Sequence, residues 1–263
     1  MIEQILSLLP PGFPWRDRIH YFPTIDSTNT QAKHLAAQGA PHGTVLIAGH
    51  QTGGRGRLGR SFHSPEGMGI YLSVILRPGC PAKDLMHLTC ATGVAMCDAV
   101  EAAAGFRPGI KWTNDLIWGK RKLGGILTEL SLKPGGSVDY AVVGIGLNCC
   151  QQEADFPEDI RNIAASLSMA AGHPVAPAQL AAAMVTALEA MAAALFAPDW
   201  ISRYQRDCLT VGQEISLVRG DTIRHGLAIG VDAEGALIVR FPDGHEDAVS
   251  SGEVSVRGMY GYL

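Results

Sequence analysis

The sequence predicts an α+β protein in two parts: a mixed β-sheet packed with helices over residues 1–208, then a small β-barrel over residues 209–263. Three observations carry this reading. The first part mixes strand-length and helix-length apolar runs without the strict alternation of a doubly wound fold. After Cys208 the texture changes to short, evenly spaced strand candidates separated by Gly/Asp turns, the pattern of a small antiparallel barrel. The 31 glycines and 15 prolines in 263 residues exceed average usage and point to many tight turns or to backbone that approaches ligands.

Taken in order, residues 1–18 read as a short helix and then a turn at Pro10-Pro11, and Ile19–Phe22 as a first strand. Ser27 is placed to cap a helix over Thr28–Gln38, which Gly39 stops. Thr44–Ala48 is a short β-branched strand and Gly69–Leu76 another, closed by Pro78. Between them, Gln51–Arg60 is too rich in Gly and Arg for regular structure. Asp84–Ala104 carries Leu85, Leu88, Val94, Ala95 and Val100 at helical spacing before Gly105. Ile110–Trp112, Leu116–Trp118, Leu123–Leu132 and Tyr140–Leu147 are strands, the last two joined at Gly135-Gly136. Ile160–Ala171, the Ala-rich Gln179–Phe196 and Asp199–Asp207 are helices. The second part offers strands at Gln213–Val218, Thr222–Val231, Leu237–Arg240 and His245–Val249. The domain boundary falls within residues 209–212.

Composition removes several classes. Lys and Arg number 21 against 25 Asp and Glu, which argues against a protein that coats DNA but allows a local basic site. No run of ~18 apolar residues offers a membrane span. Met1–Arg18 lacks the basic start and cleavable apolar stretch of a secretory signal. Cysteines 80, 90, 97, 149, 150 and 208 form no CxxC and read as reduced thiols, so the expected location is cytoplasmic. Nothing in their spacing suggests structural zinc.

Four segments carry chemistry. In Gly53-Gly54-Arg55-Gly56-Arg57-Leu58-Gly59-Arg60, glycines free backbone N–H groups to face an anion and three arginines supply bidentate donors. A solvated flexible loop or an RNA-binding segment is the plainer alternative. Lys111-Trp112-Thr113-Asn114-Asp115 places a phosphate-binding charge beside two oxygen ligands for Mg²⁺, although an ordinary Asn-Asp turn would look the same. Lys120–Leu127 sets basic residues at a strand start, and its Gly124-Gly125 pair marks a close approach or a bulge. Val143–Asn148 alternates glycines that leave room for a flat ring, with Asn148 to bond its edge; a bent strand is the alternative. Phosphate-binding cations, a metal-ligand candidate, glycine surfaces and no nucleophilic triad are together the parts of an adenylating enzyme.

Asp26-Ser27-Thr28-Asn29, Gly54–Arg60, Lys111–Leu116, Lys122–Leu127 and Gly144–Asn148 occur in this order and resemble the motif set of biotin protein ligases. Ser251–Arg257 resembles that family's C-terminal motif, so the likeness spans roughly residues 20–257. The resemblance implies a mixed-sheet catalytic domain and a C-terminal SH3-like barrel. It implies two half-reactions: biotin and ATP give biotinyl-5′-AMP and pyrophosphate, then a lysine of the biotin carboxyl carrier protein of acetyl-CoA or a related carboxylase takes the biotinyl group. By the same resemblance Ser27, Thr28, Asn29 and Gln51 bind the biotin head, with Gly54, Arg55, Gly56, Arg57, Gly124 and Gly125 around the rest of it. Lys122, Arg57 and Lys111 carry the catalytic charge. Arg57, Arg60, Lys111, Asn114, Gly144, Gly146 and Asn148 bind ATP, with Glu253 and Arg257 reaching back from the small domain, and Asp115 holds Mg²⁺.

The chain departs from that pattern at three positions. Thr113 stands where the family usually has proline, which predicts a looser corner. Leu58 replaces a common arginine, and Phe62 a frequent tryptophan. Too little sequence precedes Ile19 for a winged helix-turn-helix, so a monofunctional ligase without DNA binding is expected, as monomer or homodimer. A lipoate or octanoate ligase of the same fold is the nearest rival. A nucleic-acid-binding module and a non-catalytic biotin sensor are the rivals from other classes.

Overall fold

The computed structural model describes residues 1–197, 199–219, 222–250 and 253–256. Among them, seven strands form a mixed sheet in the order β1-β2-β3-β7-β6-β5-β4. These are β1 (Ile19–Phe22), β2 (Thr44–Ala48), β3 (Gly69–Leu76), β4 (Gly109–Lys111), β5 (Asp115–Trp118), β6 (Arg121–Leu132) and β7 (Val138–Asn148). Only β1 and β2 pair in parallel; the other neighbours are antiparallel. All eight residues of β3 are buried, with the helix Pro177–Ala193 packed on one face and the helix Thr28–Ala37 on part of the other.

Strand alternation sorts these residues by face. Ile70, Leu72, Val74 and Leu76 of β3 and Ala141, Val143, Ile145 and Leu147 of β7 enter the main core, with α3 (Leu88–Ala104) and α5 (Pro177–Ala193). Ile75 and Val142 turn the other way, onto Ala32 and Ala36 of α2 (Thr28–Ala37). α1 (Ile2–Leu8) packs on α5, and α6 (Trp200–Asp207) on α3. Arg107 joins α3 to α6, pairing with Asp98, Glu101 and the buried Asp207. The six cysteines are unpaired, and Cys90, Cys97, Cys149 and Cys208 are buried. No helix of the described residues is long and apolar enough to cross a membrane.

A second sheet has five antiparallel strands in the order β11-β10-β9-β8-β12: β8 (Glu214–Arg219), β9 (Thr222–Val231), β10 (Leu237–Arg240), β11 (Glu246–Val249) and β12 (Glu253–Val256). β12 is an addition to the four strands expected here. The first four-residue strand sits as predicted, and β2, β3, β9 and β10 also keep the expected limits.

Three helices differ from expectation. Residues 160–166 are turns and a bridge, not helix, and α4 covers only Leu167–Ala171. The chain must straighten there because Ala164 pairs with Lys122: Lys122 N donates to Ile163 O at 2.7 Å and Ala165 N to Lys122 O at 2.8 Å. Ser166 then caps α4 through Met169 N. The segment from Asp84 breaks after a 3-10 turn at Ala82–Leu85, and α3 begins at Leu88. α5 starts two residues early, with Pro177 in its first turn, and ends at Ala193.

Candidate active site

Alternation that puts the apolar residues of β3, β6 and β7 in the core puts their other set on one open face. Register aligns Tyr71, Gly146 and Gly125 in one row across these strands, and Ser73, Gly144 and Leu127 in the next. The glycines make this face concave. A Cβ on Gly144 would overlap the Asn29 amide, and one on Gly146 would lie 2.6 Å from the Phe62 ring. Phe62 in turn meets Tyr71 edge-on, ring centroids 6.3 Å apart.

The N-terminus of α2 closes one end of this face. Ser27 caps the helix, accepting from Thr30 N at 3.4 Å. Gln51 Oε1 accepts from Thr28 N at 2.8 Å and Thr28 Oγ1 at 3.1 Å, while Gln51 Nε2 donates to Ser64 Oγ. Beneath them Ser73, fully buried, places its hydroxyl 2.8 Å from Thr28 Oγ1 and 2.6 Å from Asn29 Oδ1. Asn29 Nδ2 donates to Glu129 Oε2 at 2.9 Å, and Lys33 Nζ holds the other oxygen of that carboxylate at 2.6 Å. Burial alone would raise the Glu129 carboxyl; the bonds from Lys33 and Asn29, with the charges of Lys33 and Arg55, hold it below its ordinary value. Ser27, Thr28, Asn29, Gln51, Arg55, Gly56, Arg57, Lys122, Gly125, Gly144 and Gly146 all line this first cavity.

A second cavity, of about 300 Å³, opens beside it. It is lined by Arg57, Arg60, Lys111, Asn114, Asp115, Lys122 and Asn148, and on its apolar side by Leu58, Phe156, Ile160, Ile163 and Val254. Gly56, Arg57, Phe62, Asn114 and Lys122 border both cavities. Lys122 Nζ donates to Asp115 Oδ1 at 2.7 Å. Arg57 Nη1 donates to Asn114 Oδ1 at 2.9 Å and reaches Thr113 Oγ1 at 3.3 Å. The Lys111–Asn114 corner is tied down, contrary to the looseness expected of Thr113. Trp112 N donates to Thr210 Oγ1, Trp112 Nε1 to Gly235 O, and Tyr204 Oη to Thr113 O. The small domain thus backs the corner through Thr210 and Gly235.

Most predicted residues therefore converge, but not all fall where they were expected. Gly144 and Gly146 border the first cavity and not the second, where Arg60, Lys111 and Asn148 lie, because strand alternation turns them toward Asn29 and Phe62. Gly124 lines neither cavity; its Cα faces Leu147 and Gly146 O, so its smallness lets β6 and β7 pack. Gly54 serves the loop in a similar way, with a Cβ there meeting Phe62 O and Ser64 Oγ. Asp115 faces the Lys122 ammonium and Asn114 Oδ1 faces Arg57, so as held these oxygens do not fit a metal ion. No group of three metal-ligating side chains occurs among the described residues. Arg257 and the side chain of Glu253 lie outside the described residues. Asn148 spends its amide on Ala165 O, at 3.0 Å.

Sequence reasoning missed Ser73, Glu129, Phe156, Ile160 and Ile163. Ser73 had a signal: it is the one polar residue in Gly69–Leu76. Glu129 is likewise a lone charge within Leu123–Leu132. Ile160 and Ile163 were hidden by the helix expected over them, and Phe156 lies in the stretch before it, to which no element was assigned. A larger groove, of about 780 Å³ between α3, α5 and α6, is lined mainly by alanines and borders none of the predicted site residues.

Known proteins place this arrangement. Residues 21–148 match the Biotin/lipoate A/B protein ligase family, which gives the class of the fold. Residues 210–257 match the Biotin protein ligase C terminal domain. The bifunctional ligase/repressor BirA of Bacillus spizizenii is 36% identical over 240 residues, covering 85% of this chain and 70% of that protein. The biotin–[acetyl-CoA-carboxylase] ligase of Paracoccus denitrificans is 33% identical, covering 84% and 93%. A solved biotin protein ligase from Aquifex aeolicus in complex with biotin and ATP has a TM-score of 0.77 at 28% identity, covering 91% of this chain and 98% of that one. The chain belongs to the biotin protein ligase family.

Proposed function

We propose that the first cavity takes the biotin head and the second takes ATP, with the reacting groups meeting at the seam. The observation that carries this is that Lys122 and Arg57 border both cavities, beside the buried Lys111. The chain ligates biotin to a lysine of a biotin carboxyl carrier protein in two steps. The biotin carboxylate attacks the α-phosphorus; the bond to the bridging oxygen breaks and pyrophosphate leaves. The lysine amine of the carrier then attacks the acyl carbon of biotinyl-5′-AMP, AMP leaves, and the amine gives up a proton.

Each residue has a physical task in this reading. Ser27, Thr28, Gln51 and Asn29 pair the polar edge of the ureido ring, whose unpaired burial would cost about 1–3 kcal/mol per group. Gly144 and Gly146 leave room for the ring system. Lys122 and Arg57 neutralise charge gathering between carboxylate and α-phosphate, where preorganised donors act most strongly. Arg60 and Lys111 face the polyphosphate, and Leu58, Phe156, Ile160 and Ile163 give the base an apolar slot. Glu253 and Arg257 are proposed to reach the nucleotide from the small domain. Asp115 holds Lys122 in place. Mg²⁺ is proposed to arrive with the polyphosphate, with no protein ligand assigned to it.

A lipoate or octanoate ligase uses the same fold class. Biotin is favoured because a ureido ring can exchange hydrogen bonds with the polar floor of the first cavity, whereas a dithiolane or an alkyl chain cannot. Ligand-dependent ATP–pyrophosphate exchange with biotin, lipoate and octanoate tests this directly. Exchange with biotin alone is expected. Exchange with lipoate or octanoate alone moves the substrate, and no exchange by folded protein overturns the reading.

A further inference from the structure

Thr113 is half-buried at the corner between β4 and β5, and none of the site roles above uses it. Its carbonyl is fixed by Tyr204 Oη at 3.2 Å, so its side chain has a defined direction. That side chain meets Arg57 Nη1 at 3.3 Å, next to the stronger bond from Arg57 to Asn114 Oδ1. Arg57 begins a single 3-10 turn, Arg57–Gly59, at the tip of the glycine-rich loop. The next residue, Leu58, has φ 56°, a left-handed conformation that a bulky side chain rarely takes. Leu58 is also 75% exposed, so its own packing does not hold it there. The loop tip therefore needs an anchor. The fixed acceptors that the structure puts under Arg57 are the Thr113 hydroxyl and the Asn114 amide oxygen.

We propose that Thr113 is a positioning residue: its hydroxyl, with the Asn114 amide, latches the Arg57 guanidinium over the seam and keeps the loop shut before and after ligands bind. The adenylate half of this inference rests on the proposed function; the latch itself does not. A valine at this position keeps the volume and removes the acceptor, and a serine keeps the acceptor.

The test uses wild type, Thr113→Val and Thr113→Ser. Trypsin has sites at Arg55, Arg57 and Arg60, and cleavage there follows the population of open loop. In ligand-free protein, Thr113→Val should be cut about three- to tenfold faster than wild type, the size of one partly exposed charge-assisted hydrogen bond. Thr113→Ser should stay within about twofold of wild type. In a second arm, biotinyl-5′-AMP is formed in the site, free ligands are removed, and its release is followed by mass spectrometry. Thr113→Val should release it faster by a similar factor, with biotin affinity unchanged. In an Arg57→Gln background the effect of Thr113→Val should vanish in the tryptic arm. Equal cleavage of wild type and Thr113→Val, or a Thr113→Ser protein as open as Thr113→Val, overturns the latch. Failure of wild type to form any adenylate would instead overturn the proposed function, and the ligand-free cleavage would still decide the latch.

Discussion

At the scale of single residues, the ion pair between Lys122 and Asp115 sets the chemistry of the seam. In the proposed reaction Lys122 points at developing negative charge, yet a lysine has a long, mobile stem. Asp115 Oδ1, 2.7 Å away and on the neighbouring strand, removes that freedom. Lys122→Ala should lower the rate of adenylate formation about 10²–10³-fold, as loss of a preorganised transition-state donor does, and change biotin affinity far less. Asp115→Asn should slow adenylation to a smaller extent while leaving its Mg²⁺ dependence unaltered. Pyrophosphate exchange across a Mg²⁺ titration separates the two roles. A shifted Mg²⁺ requirement in Asp115→Asn would restore it as a metal ligand.

At the scale of elements, the site is a consequence of period two in three adjacent strands. The alternation that buries Val143, Ile145 and Leu147 forces Gly144 and Gly146 onto the open face. Gly144→Ala should therefore fold, since the change lies off the main core. It should displace Asn29 from beneath the ligand and weaken biotin binding by tenfold or more, about 1.4 kcal/mol in affinity. Calorimetric titration with biotin reads this; an unchanged affinity would place Asn29 away from the ligand. These strands were legible because β-branched runs ended by Gly and Pro have few alternative readings, and β2 and β3 fall on their expected limits. The stretch from Ile160 was not legible. Its apolar residues have helical spacing, but the backbone of Lys122, 42 residues before its bridge partner Ala164, supplies better hydrogen-bond partners. Strand β12 was hidden for the same kind of reason. Glu253–Val256 becomes a strand by pairing with β8, a partner 35 or more residues earlier in the chain. Ser73 and Glu129 were visible as polar breaks in apolar runs, but only the register tells which face they occupy.

At the scale of the whole molecule, two junctions hold the parts in relation. One is Arg107, clamped by Asp98, Glu101 and Asp207 between α3 and α6. Burial alone would raise the Asp207 carboxyl, but hydrogen bonds from Arg107 and Arg206 and their charges bring it below its ordinary value of 3.8. A depressed acid stabilises the fold above its unfolded value, and that contribution is lost as pH falls through the folded value. Asp207→Asn should cost about 2–3 kcal/mol at pH 7, somewhat less than a fully buried pair, because Arg107 is partly exposed. The gap to wild type should close as the pH drops below about 4. Chemical denaturation at several pH values checks this, and a gap that does not change with pH would assign the effect to packing. The other junction is the Trp112 corner, hung from Thr210 and Gly235, which makes the small domain a structural support of the second cavity.

The cysteines have a consequence of a different kind. All six precede Leu209, and the four buried ones sit in α3, just after β7 and just after α6. Burial pushes the Cys90 thiol up to about 12 and raises Cys97, Cys149 and Cys208 as well. Such thiols are protonated and shielded in the folded protein, so an alkylating reagent reaches them only when their surroundings open. The second domain contributes no sulfhydryl to that signal. Timed alkylation followed by peptide mapping would thus record the opening of the larger domain and, at Cys90 against Gly235, of its contact with the small one, with four internal clocks and no introduced label.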